Sequence, residues 1–124
     1  MPALALSAIG QAATPEQMLQ WAPECFGSPG DLKLAALAIS EPEGGSDVRN
    51  LQTRARRDGD EWVIRGAKRW IGAGTIADVA LVWARDTADG EIKGFVVPTD
   101  TPGYEATKIT GKMGLRIMQN ADIT

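Results

Sequence analysis

A mainly β fold, an antiparallel barrel preceded by one short helix, is what this chain of 124 residues predicts. Three observations carry that reading. From residue 33 onward apolar and polar residues alternate with a period of two, in short runs rich in β-branched and aromatic side chains. Turn chemistry separates the runs, with Asp58-Gly59-Asp60 and Asp89-Gly90 as hairpin signals. Only one stretch ahead of them carries the chemistry of a helix start.

That stretch is "TPEQMLQWAP", residues 14–23. Thr14 is a natural N-cap, Pro15 suits the first helical position, and Gln17 stands at the return position of a capping box. Pro23 is expected to end the helix, and "PECFGSPGD" (23–31) is dense enough in proline and glycine to be a linker. Met18, Leu19 and Trp21 on this helix need burial, yet no helical partner is visible in the sequence. The strand candidates are 32–40, 51–57, 61–66, 68–72, 77–85, 92–98, 104–110 and 115–123. Within them "VALVWA" has the uniform apolarity of a strand covered on both faces. The final "NADIT" reads as a strand cut short, so a piece of a longer protein is expected.

Composition narrows the chemistry. A hydrophobic share of 44% is enough for a core in one globular unit. The net charge of −3 offers no basic face for nucleic acid. The chain has no histidine, which removes the commonest general base, the usual zinc ligand and any serine–histidine pair. The single Cys25 rules out an internal disulfide, and without a histidine beside it the thiol is expected to be structural or simply exposed. "MPALALSAIG" lacks the basic region of a signal peptide, and no stretch approaches the roughly 20 apolar residues of a membrane span. The protein is expected to be soluble, with no metal site.

Two short segments remain that turn chemistry alone does not exhaust. "AISEPEGGSD" (38–47) places Ser40, Glu41, Pro42 and the Gly44-Gly45-Ser46-Asp47 turn just where an apolar strand runs out. Paired glycines admit close approach of a ligand to the backbone, and Ser46 offers a hydroxyl beside main-chain N–H groups. "GAKRWIGAG" (66–74) sets Trp70 between a basic pair and a run of small residues. Each alone is more often a plain turn or a core tryptophan; together they suit a flat aromatic cofactor with a pyrophosphate tail.

The first segment resembles the alanine-x-threonine/serine-glutamate-proline-x-x-glycine-serine-aspartate motif of acyl-CoA dehydrogenases. "RWIGAG" resembles that family's lysine-x-tryptophan-isoleucine-threonine/glycine motif, and the sequence between and after them follows in the family's order and spacing. Within the family the chain is most similar to the glutaryl-CoA dehydrogenase-like branch and its short-chain acyl-CoA oxidases. The resemblance implies a remnant of an N-terminal helical domain and linker over 1–30 and a middle β-barrel domain over 31–124, truncated at its C-terminus. It implies FAD as cofactor, with Leu37, Ile39 and Ser40 along the flavin ring, Glu41 to Ser46 (Gly45 included) following the cofactor outward, and Trp70, Ile71 and Gly72 as a second flavin strip. Ser46 is also placed near the CoA tail of the substrate.

Two departures stand out. Leu37 occupies a position where many members carry an aromatic residue, and Gly72 replaces a hydroxyl offered to the flavin N5 region. The family's catalytic glutamate belongs to a C-terminal helical bundle this chain does not contain, so no catalytic residue is assigned here. The implied activity is α,β-dehydrogenation of an acyl-CoA thioester to a trans-2-enoyl-CoA by a full-length homo-oligomer, a tetramer. An electron-transfer flavoprotein would be the acceptor, or oxygen if the parent is an acyl-CoA oxidase. A non-catalytic β-barrel binding module is the alternative from another class. The compartment implied is the cytoplasm for a bacterial parent and the mitochondrion or peroxisome for a eukaryotic one.

Overall fold

In the computed structural model, which describes residues 2–124, two helices rather than one precede the strands: α1 (Pro2–Ala12) and α2 (Pro15–Phe26). Met1 lies outside the described residues. The sequence pattern misses α1 because "PALALSAIGQA" is apolar on almost every face and offers no period to read. Its alanines and leucines are strong helix formers, and it buries Ala5 and Ile9, one turn apart, against the strands.

The second helix begins as predicted. The Thr14 hydroxyl accepts from the Gln17 N–H at 3.2 Å, and the Thr14 N–H donates to Gln17 Oε1 at 2.9 Å. It does not stop at Pro23, which lies inside the helix. Proline withholds one N–H, the one that would bond the carbonyl four residues back. That carbonyl belongs to Leu19, which is 80% exposed, so water can satisfy it. One further turn follows before Gly27 closes the helix with φ +72, its N–H donating to the Pro23 carbonyl. The expected linker 23–31 is thus a helix end followed by a two-residue hairpin, β1 (Gly27–Ser28) and β2 (Asp31–Leu32). Met18 and Trp21 pack against the sheet, whereas Leu19, expected to be buried, faces solvent.

Each of the eight predicted runs contains a strand: β3 (Ala35–Ala38), β4 (Arg54–Asp58), β5 (Glu61–Arg65), β6 (Lys68–Gly72), β7 (Val79–Asp86), β8 (Ile92–Pro98), β9 (Ala106–Lys108) and β10 (Asn120–Ile123). Their arrangement corrects the barrel. One sheet holds β3, β7, β4 and β5, with β8 also on β7; a second holds β6, β10 and β9; and the sheets do not close on one another. Nor is the pairing wholly antiparallel, since β3 and β4 both run parallel to β7. Hairpin signals encode only local antiparallel pairs such as β4–β5 and β7–β8, whereas Ala35 meets Val79 across the chain, a pairing no short-range pattern records. Between β5, β8 and the end of β10 a cavity of about 530 Å³ stays open, lined by Trp62, Ile64, Phe95, Tyr104 and Ile123 among others.

The core is built on small residues. β7 is covered on both faces, as its uniform apolarity predicts. Ala36, Ala38, Ala80, Val82, Ile71 and Ile123 pack between the sheets; Ala35, Val79 and Leu81 face the helices with Ala5, Ile9 and Cys25. Burial, and then the charge of Glu24, push the Cys25 thiol up, so it is a structural and unreactive group.

Gly66, between β5 and β6, marks a close approach of another kind. A Cβ there would stand 2.4 Å from Thr53 Oγ1 and 2.7 Å from Thr53 Cα, and Thr53 is fully buried. Gly66→Ala is therefore expected to lower stability by about 1–3 kcal/mol through overpacking. Urea unfolding followed by circular dichroism reads this directly, and an unchanged midpoint would show that the chain parts there without cost.

Candidate functional site

The two segments singled out in the sequence lie side by side. Past Ala38 the chain continues through Ile39 and Ser40 along β6: the Arg69 N–H donates to the Ser40 carbonyl at 2.8 Å, and Lys68 Nζ donates to the Ile39 carbonyl at 3.0 Å. Glu41 then turns tightly, its N–H and carbonyl paired with Gly44 at 2.9 and 3.1 Å. Proline at 42 presets the turn and Gly44 closes it.

The carboxylate of Glu41 points into the protein. Oε1 accepts from Lys68 Nζ at 2.9 Å, from the Thr53 hydroxyl at 2.6 Å and from the Thr53 N–H at 3.0 Å, while Oε2 accepts from the Gln52 N–H at 2.5 Å. Both ions are buried, Glu41 8% and Lys68 3% exposed. Burial alone would raise the carboxyl; the hydrogen bonds from Thr53, Gln52 and Lys68 together outweigh it and hold it at about 2. For Lys68 burial dominates and pulls the ammonium below its ordinary value, against the hydrogen bond and charge of Glu41. Neither Thr53 nor Lys68 was singled out in the sequence. A lysine on a strand and a glutamate at the end of another, 27 residues apart, have no local signature.

Beyond this anchor the loop opens to solvent. Gly45, Ser46 and Asp47 are exposed, and among the described residues their three consecutive N–H groups make no hydrogen bond within the protein. A carboxylate–amide bond of 2.6 Å between Asp47 and the Asn50 side chain fixes the far side, at a single 3₁₀ turn over Val48–Asn50. Successive free N–H groups beside a serine hydroxyl are suited to an anion.

Along β6 the pairing with β10 slips. Ile71 faces Ala121 and Lys68 faces Ile123, so Arg69 and Trp70 together oppose the single residue Asp122. This is a β-bulge, and Trp70 takes the left-handed conformation it requires, φ +63, which bulky residues rarely adopt. Trp70 is 52% exposed, while Ile71 returns to the core and Gly72 is half-buried. Ile39, Ser40 and Glu41 therefore run beside the part of β6 that carries Trp70, with Gly72 at the end of that strand and Gly45 and Ser46 on the loop beyond. Leu37 is half-buried against the helix-side cluster, whereas Ile71 belongs to the cluster between the sheets, so these two side chains are not brought together. A half-exposed flat ring, small residues beside it and a run of free N–H groups fit the ring and phosphates of a dinucleotide flavin.

The chain also resembles known proteins in sequence and fold. A family model described as "Acyl-CoA dehydrogenase, middle domain" matches residues 36–124. The chain is 38% identical over 124 residues to the short-chain specific acyl-CoA dehydrogenase of Bos taurus mitochondria, covering 97% of this chain and 29% of that protein. It is 39% identical over 94 residues to a cyclohexane-1-carbonyl-CoA dehydrogenase of Syntrophus aciditrophicus, covering 73% and 24%. The fold superposes on a glutaryl-CoA dehydrogenase from Mycobacterium smegmatis, solved in complex with FADH2, with TM-score 0.86 and 38% identity over 97% of this chain and 30% of that one. The chain thus spans about a quarter to a third of the length of these relatives.

The buried ion pair makes a definite prediction. A carboxyl held at about 2 against an ordinary value of 4.5 contributes stability that is fully present above pH 4.5 and is lost as the pH falls toward 2. Glu41→Gln is expected to cost on the order of 3 kcal/mol at neutral pH, and the gap to the parent should close on acidification. Urea unfolding at a series of pH values checks this; a pH-independent gap would mean that Glu41 acts through its shape rather than its charge.

Proposed function

The chain belongs to the acyl-CoA dehydrogenase family, and on that premise we propose that it forms one wall of an FAD and acyl-CoA site in a full-length flavoenzyme that dehydrogenates an acyl-CoA thioester to the trans-2-enoyl-CoA. The single observation that carries this reading is the stitching of the two segments, Arg69 N–H to Ser40 carbonyl, beside a free-donor loop and a half-exposed tryptophan. FAD, when bound, supplies the acceptor for the hydride leaving the β-carbon. This chain's own residues bind and orient. Ile39 and Ser40, and across from them Trp70 and Gly72, line the ring, with Ile71 backing the strip from the core and Leu37 turned to the helix side. Glu41 sets the loop by its backbone turn and its buried carboxylate. Gly45 and Ser46 lead outward to the phosphate-bearing tails of cofactor and substrate.

No carboxylate here is assigned as the base that removes the α-proton: that of Glu41 is spent on Lys68, Thr53 and Gln52. In this reading residues 1–30 belong with a helical domain and 31–124 form the middle domain. Relatives whose names specify acyl-CoA dehydrogenation support acyl-CoA as substrate. The acceptor is an electron-transfer flavoprotein in the dehydrogenase reading and oxygen in the oxidase reading, and the full-length enzyme is a homo-oligomer.

The test uses the full-length enzyme reduced anaerobically by acyl-CoA, with bleaching of the flavin as the signal. Ser46→Ala is expected to raise KM or lower flavin content by about ten- to a hundredfold, through the loss of one hydrogen bond to a charged group, while kcat stays near the parent value. KM and flavin content at parent values would remove Ser46 from the site. Gly72 separates dehydrogenase from oxidase: glycine leaves room at the ring edge and no hydroxyl, so Gly72→Thr is expected to slow reoxidation of the reduced flavin by oxygen. An unchanged oxygen rate in a protein that still holds FAD would leave Gly72 as the closing residue of β6 only.

A further inference from the structure

The bulge on β6 does more than interrupt a ladder. Along a regular strand side chains alternate, so Lys68 and Trp70 would share one face and Arg69 and Ile71 the other. With Trp70 at φ +63 the order becomes inward, outward, outward, inward: Lys68 and Ile71 are buried, and Arg69 and Trp70 emerge next to each other. The Arg69 guanidinium then lies over the indole, Cζ 5.4 Å from the ring centroid. It is tied down by Asp122, the one residue opposite the bulge, with Nη1 to Oδ2 at 3.3 Å. The other carboxylate oxygen, Oδ1, is buried and has no hydrogen-bond partner among the described residues. Asn120 Nδ2 donates to the Trp70 carbonyl at 3.4 Å, holding the bulge backbone from the neighbouring strand.

We propose that Arg69 is a positioning residue for Trp70. The guanidinium, tethered by Asp122, occupies one face of the indole and fixes its tilt, so that a flat electron-accepting ring meets only the other face or the edge. This rests on the reading of Trp70 as part of the flavin wall and adds the reason why a ring that is half in water keeps one orientation. An unsupported tryptophan at such exposure would sample several rotamers, and ordering it would weaken ligand binding. Arginine suits the role because its planar fork can stack on the ring and bridge to a carboxylate at once; lysine can hold the charge but not the stack.

Two measurements decide it. The first uses the full 124-residue chain labelled with 5-fluorotryptophan, whose four tryptophans give four fluorine resonances. The Trp70 signal is identified by its loss in Trp70→Phe. Arg69→Gln and Asp122→Asn are each expected to move and broaden that signal alone, with Arg69→Lys intermediate, and far-ultraviolet circular dichroism confirms that each variant is folded. A Trp70 signal that stays in place in Arg69→Gln overturns the proposal.

The second follows FAD binding to the full-length enzyme. Arg69→Gln is expected to weaken FAD about three- to tenfold in the parent background and less than about twofold in Trp70→Ala, because the effect runs through the indole. An undiminished effect in the Trp70→Ala background overturns the proposal while leaving the flavin wall intact. FAD affinity unchanged by Trp70→Ala itself overturns the wall, and with it any positioning role.

Discussion

The buried bond between Glu41 and Lys68 is the constraint on which the rest of the candidate site depends. Three stretches of chain meet there: the end of the first segment through Glu41, the entry to β4 through Gln52 and Thr53, and β6 through Lys68. Desolvating two ions is costly, and a pair in this position stabilises a fold only when further donors satisfy the carboxylate. Here four donors do so, and the Lys68 ammonium also takes the Ile39 carbonyl left exposed where β3 ends. The pair thereby fixes the register of the two motif strips against each other. The direction of the Glu41 turn, and so the place where its free N–H groups emerge, follows from that register.

The alanines of β3 and β7 serve the same end by a different means. Ala36, Ala38 and Ala80 have no bulk to hold the sheets apart, so the strip carrying Ile39 and Ser40 can approach β6 closely enough for backbone bonding. Close approach also leaves little room for error, as the contact between Gly66 and Thr53 shows. Polar network and small-residue core are two parts of one solution: backbone from different sheets is brought into hydrogen-bonding range, and both carboxylate oxygens of Glu41, which seals the joint, are hydrogen-bonded.

Much of this was legible in the sequence, because periodicity and turn chemistry are local. A strand lies in each of the eight runs and the Thr14 cap lies where the residues indicate, though the short β1–β2 hairpin replaces an expected linker, and the motif resemblance locates the loop around Ser46 and the strip around Trp70. What was not legible is what non-local pairing decides. The parallel contacts of β3 and β4 with β7, and hence the open rather than barrel-like arrangement, join segments whose separation no short window spans. The helix α1 escaped because a stretch apolar on all sides has no phase, and the continuation through Pro23 because the cost of a missing N–H depends on whether the orphaned carbonyl reaches water. The ionic anchor was hidden because Lys68 lies within "KRWIG" as an unremarkable surface-type residue, and only the fold shows it turned inward. The bulge was hidden because its αL position holds tryptophan where glycine would have announced it.

The parallel pairing of β3 with β7 also bears on how the molecule assembles. Both motif strips lie inside the loop that this pair closes, since Leu34 bonds to Asp78 across 44 residues. Closing a loop of that length costs roughly 3 kcal/mol in chain entropy before the contacts repay it, whereas β4–β5 and β7–β8 close through short turns. The two hairpins can therefore form early and independently, and the joint between the strips is a late event, completed when β3 docks. The candidate site is thus joined by the longest loop closure of the three, so a local loosening at β3 would part the two strips while the β4–β5 and β7–β8 hairpins stay paired.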